Sequence, residues 1–108
     1  MIPRKHPRFA VRMPISFTGD HDGAGLVTNL SIGGCRVEYA DAPVDRKAML
    51  TVYLSLSADE PPVKIDAALV PWTSPPNFGL EFLFLRPETL HQLETCLHRL
   101  PPQSQLAP

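Results

Sequence analysis

The sequence predicts a mainly β fold, six antiparallel strands followed by one C-terminal helix, and three observations lead there. Apolar and polar residues alternate with period two over most of the chain. Glycine, proline, asparagine and aspartate gather between the alternating runs. Only the last apolar set, Leu90, Leu93, Leu97 and Leu100, changes to helical spacing. Strands joined by short turns, with no helices interleaved, fit an antiparallel sandwich or a closed barrel. A chain of 108 residues has room for one core and one domain.

The first strand places Phe9, Val11, Met13, Ile15 and Phe17 on one side and Ala10, Arg12, Pro14, Ser16 and Thr18 on the other. Pro14 lacks an N–H, which predicts a sheet edge or a local break there. Thr18 to Gly23 reads as a polar turn, so Asp20, His21 and Asp22 are turn residues rather than a metal set. Gly25 to Leu30 is a short second strand, interrupted by Ser31-Ile32-Gly33-Gly34, where the glycine pair permits positive φ and close backbone approach. Cys35, Val37 and Tyr39 form the inward set of the third strand, and Leu50, Val52, Leu54 and Leu56 that of the fourth. Val63, Ile65, Ala67 and Leu69 face inward on the fifth, which runs on to Pro71-Trp72, and Phe78, Leu80, Phe82 and Phe84 on the sixth. Trp72 is expected in the core or at its rim. The helix opens with Pro87 and Glu88, both suited to a first turn, and ends near Arg99 ahead of Pro101-Pro102. It should cover an open end or face of the sheet, with His91 and His98 at the surface.

Net charge is −1, but its distribution is uneven. Arg4, Lys5, Arg8 and Arg12 all precede the first acid, Asp20. A basic arm on a mildly acidic body suits a small anionic ligand better than a long polyanion, which wants basic charge over a wide face. The two cysteines, Cys35 and Cys96, read as small buried thiols rather than a disulfide framework. No run approaches the roughly twenty apolar residues of a membrane span. The first apolar stretch, broken by Arg12 and Pro14, does not resemble a signal peptide, so a cytoplasmic location is expected. The organisation expected is a flexible basic arm over residues 1–8, a barrel with its helix over 9–100 and a disordered tail over 101–108.

Two motifs stand apart from the core pattern: Arg4-Lys5-His6-Pro7-Arg8, an Arg-x-x-x-Arg, and Asn29-Leu30-Ser31-Ile32-Gly33-Gly34, an Asn-x-Ser-x-x-Gly at a strand junction. Each alone is weak. In this order, ahead of Trp72 and the Phe78-Gly79-Leu80-Glu81-Phe82 run, they resemble the signature of the PilZ family of cyclic di-GMP receptors, over about residues 3–100. The resemblance implies a six-stranded antiparallel β-barrel with a C-terminal helix. It assigns the arginine pair to phosphate and guanine, and the second motif to the other face of the base.

The residue chemistry is consistent with that. Cyclic di-GMP offers two phosphodiesters and two guanines, and a guanidinium can fork onto a phosphate, pair with guanine O6 and N7, or stack on the base. Asn29 both donates and accepts, Ser31 offers a hydroxyl, and Gly34 lets the backbone come close where a Cβ would collide. Arg4, Arg8, Asn29, Ser31 and Gly34 are therefore the expected ligand residues, with Lys5 and Gly33 as secondary contacts. The competing reading of Asn29 and Ser31 is a turn closed by side-chain-to-backbone bonds.

Two positions depart from the family's pattern. Pro3 stands where relatives that bind a stacked ligand pair carry a further basic residue, which favours one ligand molecule per site. Arg46-Lys47 occupy a turn where many relatives carry glycine. No nucleophile–base pair, paired carboxylates or metal set can be assembled from the spacing, so a non-enzymatic module without cofactor is expected. Its partners would be cyclic di-GMP and an unidentified protein, with self-association left open. The alternatives are a ligand-independent interaction scaffold of the same fold and a barrel for single-stranded nucleic acid. The latter wants a long basic groove with exposed aromatics.

Overall fold

The structure, a computed structural model, describes residues 6–100. Its strands are β1 (Phe9–Gly19), β2 (Gly23–Ser31), β3 (Gly34–Glu38), β4 (Met49–Leu54), β5 (Val63–Leu69), β6 (Thr73–Ser74) and β7 (Asn77–Phe84), followed by the helix α1 (Pro87–His98). All pairings are antiparallel, in the order β3-β2-β1-β4-β5-β7-β6, and a further β3–β7 pairing closes the circuit. Six long strands thus form a closed barrel, and closure removes the free edges an open sheet would expose. The two-residue β6, which period-two alternation cannot show, pairs only with the start of β7.

The inward alternations of β1 hold: Phe9, Met13, Ile15 and Phe17 are buried and Val11 is half-buried. β1 is not an edge strand; Pro14 instead marks a break. Its carbonyl accepts from the Ser55 N–H at 3.0 Å, and the β1–β4 ladder begins only at Ile15, so the missing donor falls at the ladder's end. Val27, Leu30, Val37, Val52, Leu54, Ile65 and Phe78 complete the barrel interior, where the Phe17 and Phe78 rings meet edge to face at 5.5 Å.

Three expectations need correcting. Ala68 and Val70, the latter just past β5, are fully buried in place of Ala67 and Leu69, because β5 carries one extra residue between Ile65 and Ala68 against β4, which reverses the alternation. Phe84 is 56% exposed, since Leu83 is the extra residue of β7 where it pairs with Ala67 and Ala68 of β5 and the strand's end leaves the core. Tyr39 is 69% exposed and lies beyond β3 with φ 58, so the third strand stops at Glu38. Lys47 also takes a left-handed φ of 72, a conformation that glycine adopts more readily than lysine.

α1 starts with Arg86 as N-cap, Pro87 in the first turn and Glu88 beside the positive end of the helix dipole. It buries Leu93 and Leu97 in the barrel core. Phe9 at the start of β1, Ile32 after β2 and Val63 at the start of β5 line the spaces beneath it. The helix therefore plugs the end of the barrel where those strand termini gather. Asp20 accepts from the Met49 N–H at 2.9 Å and His21 contacts Asp45 at 3.3 Å, so both serve the β1–β2 turn. His91 and His98 are exposed.

Candidate functional site

The β2–β3–β7 part of the barrel carries a cleft of about 620 Å³ on its outer face, and strand register decides what lines it. Leu30, Cys35 and Leu80 stand opposite one another and point inward. The two flanking rows therefore point outward: Asn29, Arg36 and Gly79 in one, Ser31, Gly34 and Glu81 in the other. All six line the cleft. Asn29 reaches this face because Thr28 is an extra residue in β2, between the Val27–Val37 and Asn29–Arg36 pairs. Without that bulge Asn29 would follow Val27 inward.

Gly34 and Gly79 make the floor, and both are required by close neighbours. A Cβ on Gly34 would fall on the Leu80 carbonyl of the adjacent strand, and one on Gly79 would fall on the Trp72 indole. The close approach at Gly34 is thus first to β7. Neither Gly33 nor Gly34 has a positive φ; among the described glycines only Gly19 does. Ser31 is buried: its Oγ accepts from the Gly33 N–H at 3.1 Å and donates to the Gly34 carbonyl at 3.3 Å. It closes the turn, and a hydroxyl so engaged keeps one acceptor lone pair.

Arg8 and His6 also line the cleft, with the His6 ring against Gly33. Arg36, another lining residue, lies over the Trp72 ring at 5.7 Å and contacts Glu38 at 3.4 Å. Trp72 is 39% exposed and forms the rim. Arg4 and Lys5 lie outside the described residues. Arg8, Asn29, Ser31, Gly33 and Gly34, separated by up to 26 positions, are therefore brought together at one cleft. Sequence reasoning passed over His6, Arg36, Gly79 and Glu81 as cleft residues. Arg36 showed only as a polar member of an alternation and Glu81 only as part of the Phe78–Phe82 run; the available signal was their position opposite glycines, legible once register is known.

The sequence model of the PilZ domain matches residues 3–99 of the chain. The chain belongs to the PilZ domain family. Among solved structures, seven chains match. One is the Bacillus subtilis inhibitor of motility, MotI/DgrA, with a TM-score of 0.71 and 20% identity over 92% of this chain. This PilZ domain spans about half of that protein, 52% of its length. No curated protein sequence matches. The family and the neighbouring structure agree with the closed barrel and terminal helix described above.

Burial pushes the Cys35 thiol up to about 12, which keeps it protonated beneath the cleft floor. The chemistry available at the site is therefore that of Arg8 and Arg36 as fixed cations, amide and hydroxyl groups at Asn29 and Ser31, an aromatic rim and one carboxylate, Glu81. Among the described residues, no helix is long and apolar enough to cross a membrane.

Proposed function

We propose that this PilZ domain is a receptor for cyclic di-GMP that signals to a protein partner and carries out no chemistry of its own. The observation that supports it most is the convergence of Arg8 with Asn29, Ser31 and Gly34 on one open cleft within the roughly 300–1,000 Å³ range of small-molecule sites. Arg8 supplies a fork for a phosphate or for guanine O6 and N7, and Asn29 a donor–acceptor pair for the base. Ser31 holds the turn in shape and offers its remaining lone pair. Arg4 and Lys5, close to Arg8 in the sequence, add further cations, and the arm that carries them closes over the bound ligand. Ordering of that arm creates a surface that the partner recognises, a disorder-to-order switch driven by tighter binding to the ordered state. With Pro3 ahead of Arg4, one ligand molecule occupies each site.

Calorimetric titration of cyclic di-GMP into wild type and Arg8→Ala tests this. Wild type should bind one molecule, and the variant should lose about 1–3 kcal/mol, the worth of one good bidentate contact. Equal affinities would remove Arg8 from the site. A silent wild type would favour a scaffold that holds its partner without ligand.

A further inference from the structure

The cleft contains a group that an anion site should avoid. Glu81 is the sole acid among its described lining residues, and it makes no ion pair among the described residues. Its backbone is held in register on both sides, opposite Gly34 on β3 and Leu69 on β5, and the next residue's N–H bonds the Gly33 carbonyl at 2.9 Å. Gly34 has no side chain, so nothing on β3 stands between the carboxylate and the cleft. Arg36, one row along, is already engaged by Glu38 and the Trp72 ring. A carboxylate accepts hydrogen bonds and cannot donate them, and it repels phosphate. Beside a doubly charged ligand it is favourable only against a donor edge.

Guanine has such an edge. Its N1–H and N2–H₂ lie side by side and match the two oxygens of one carboxylate, while O6 and N7 on the other edge suit guanidinium. Adenine presents a ring-nitrogen lone pair where guanine presents N1–H. We infer that Glu81 is the specificity-determining residue of this cleft, accepting from N1–H and N2–H₂ of one guanine and thereby selecting guanine over adenine. This rests on the reading of the cleft as a cyclic dinucleotide site.

The test measures binding of three ligands, cyclic di-GMP, its inosine analogue and cyclic di-AMP, to wild type and to Glu81→Gln. Inosine keeps O6, N7 and N1–H and lacks only the amino group, so the arginine contacts are untouched. Wild type should prefer cyclic di-GMP over the inosine analogue by about ten-fold, within the range of a good base contact. The variant should bind cyclic di-GMP about ten-fold more weakly and should bring the two ligands to within about three-fold. The side chain is exposed, so the variant's unliganded melting temperature should match wild type. An unchanged preference in the variant would overturn the inference while leaving the receptor intact. Uniformly tighter binding of all three would do the same, by showing Glu81 to act only as a repelling charge. Wild type that binds none of the three would remove the receptor reading and this inference together.

Discussion

At Gly34 the requirement for glycine comes from a neighbouring strand. A Cβ there would meet the Leu80 carbonyl, which belongs to a hydrogen-bonded backbone and cannot turn aside. At Gly33 the obstacle is the His6 ring, 2.8 Å from the ideal Cβ, and a surface side chain can swing away. Gly34→Ala should therefore destabilise the domain by about 1–3 kcal/mol, the usual cost of overpacking, and Gly33→Ala by clearly less. Urea unfolding of both variants measures the difference; equal midpoints would show that β3 and β7 can part at this point without cost. The motif residues were legible in the sequence because Asn, Ser and Gly stand out from an apolar alternation. Arg36 and Glu81 were not, because an exposed charge on a strand looks the same whether it faces bulk water or a cleft.

Between elements, the corner from β7 into α1 is fastened by charge. Arg86, the helix N-cap, donates to Asp66 of β5 at 2.7 Å, and Lys64 adds a contact at 3.6 Å. The hydrogen bond from Arg86 is the main reason the Asp66 carboxyl sits below its ordinary value of 3.8. A depressed folded-state value means this contribution is present at neutral pH and is lost as pH falls through that value. Both groups are solvated, so the effect on global stability is small. Arg86→Ala should raise the Asp66 titration toward 3.8, followed by carboxyl-carbon NMR; no movement would show the pair to be broken in solution. The strands and the helix themselves were readable from period. What period missed were the interruptions: the extra Thr28 that turns Asn29 outward, the shift at Ala67/Ala68, and the two-residue β6. A bulge arises from pairing with a second strand, and one strand's composition does not contain it.

For the whole molecule, closure of β3 on β7 seals the barrel, and Cys35 sits at that seam, buried under the cleft with its thiol protonated. Cys96, only partly buried on α1, is the more accessible thiol. Thiol labelling of native protein should modify Cys96 first and Cys35 only through global opening. Under the proposed function, cyclic di-GMP at 100 times its dissociation constant should then slow Cys35 labelling by about 100-fold, because a ligand that binds only the folded state lowers the open population by that factor. Labelling of Cys35 at the rate of Cys96, or without any ligand effect, would show that the seam opens locally and independently of the site.

The sequence by itself determined the class of fold, the strands with their inward sets over most of their length, the helix and the two motifs. Each of these follows from local periodicity or from residue types that differ from their neighbours. Tertiary structure alone decided that Asn29, Arg36 and Gly79 share one outward row with Ser31, Gly34 and Glu81 beside it, and that Arg8 lines the same cleft. Those positions are set by inter-strand register and by bulges, which depend on pairings between residues some 45 positions apart.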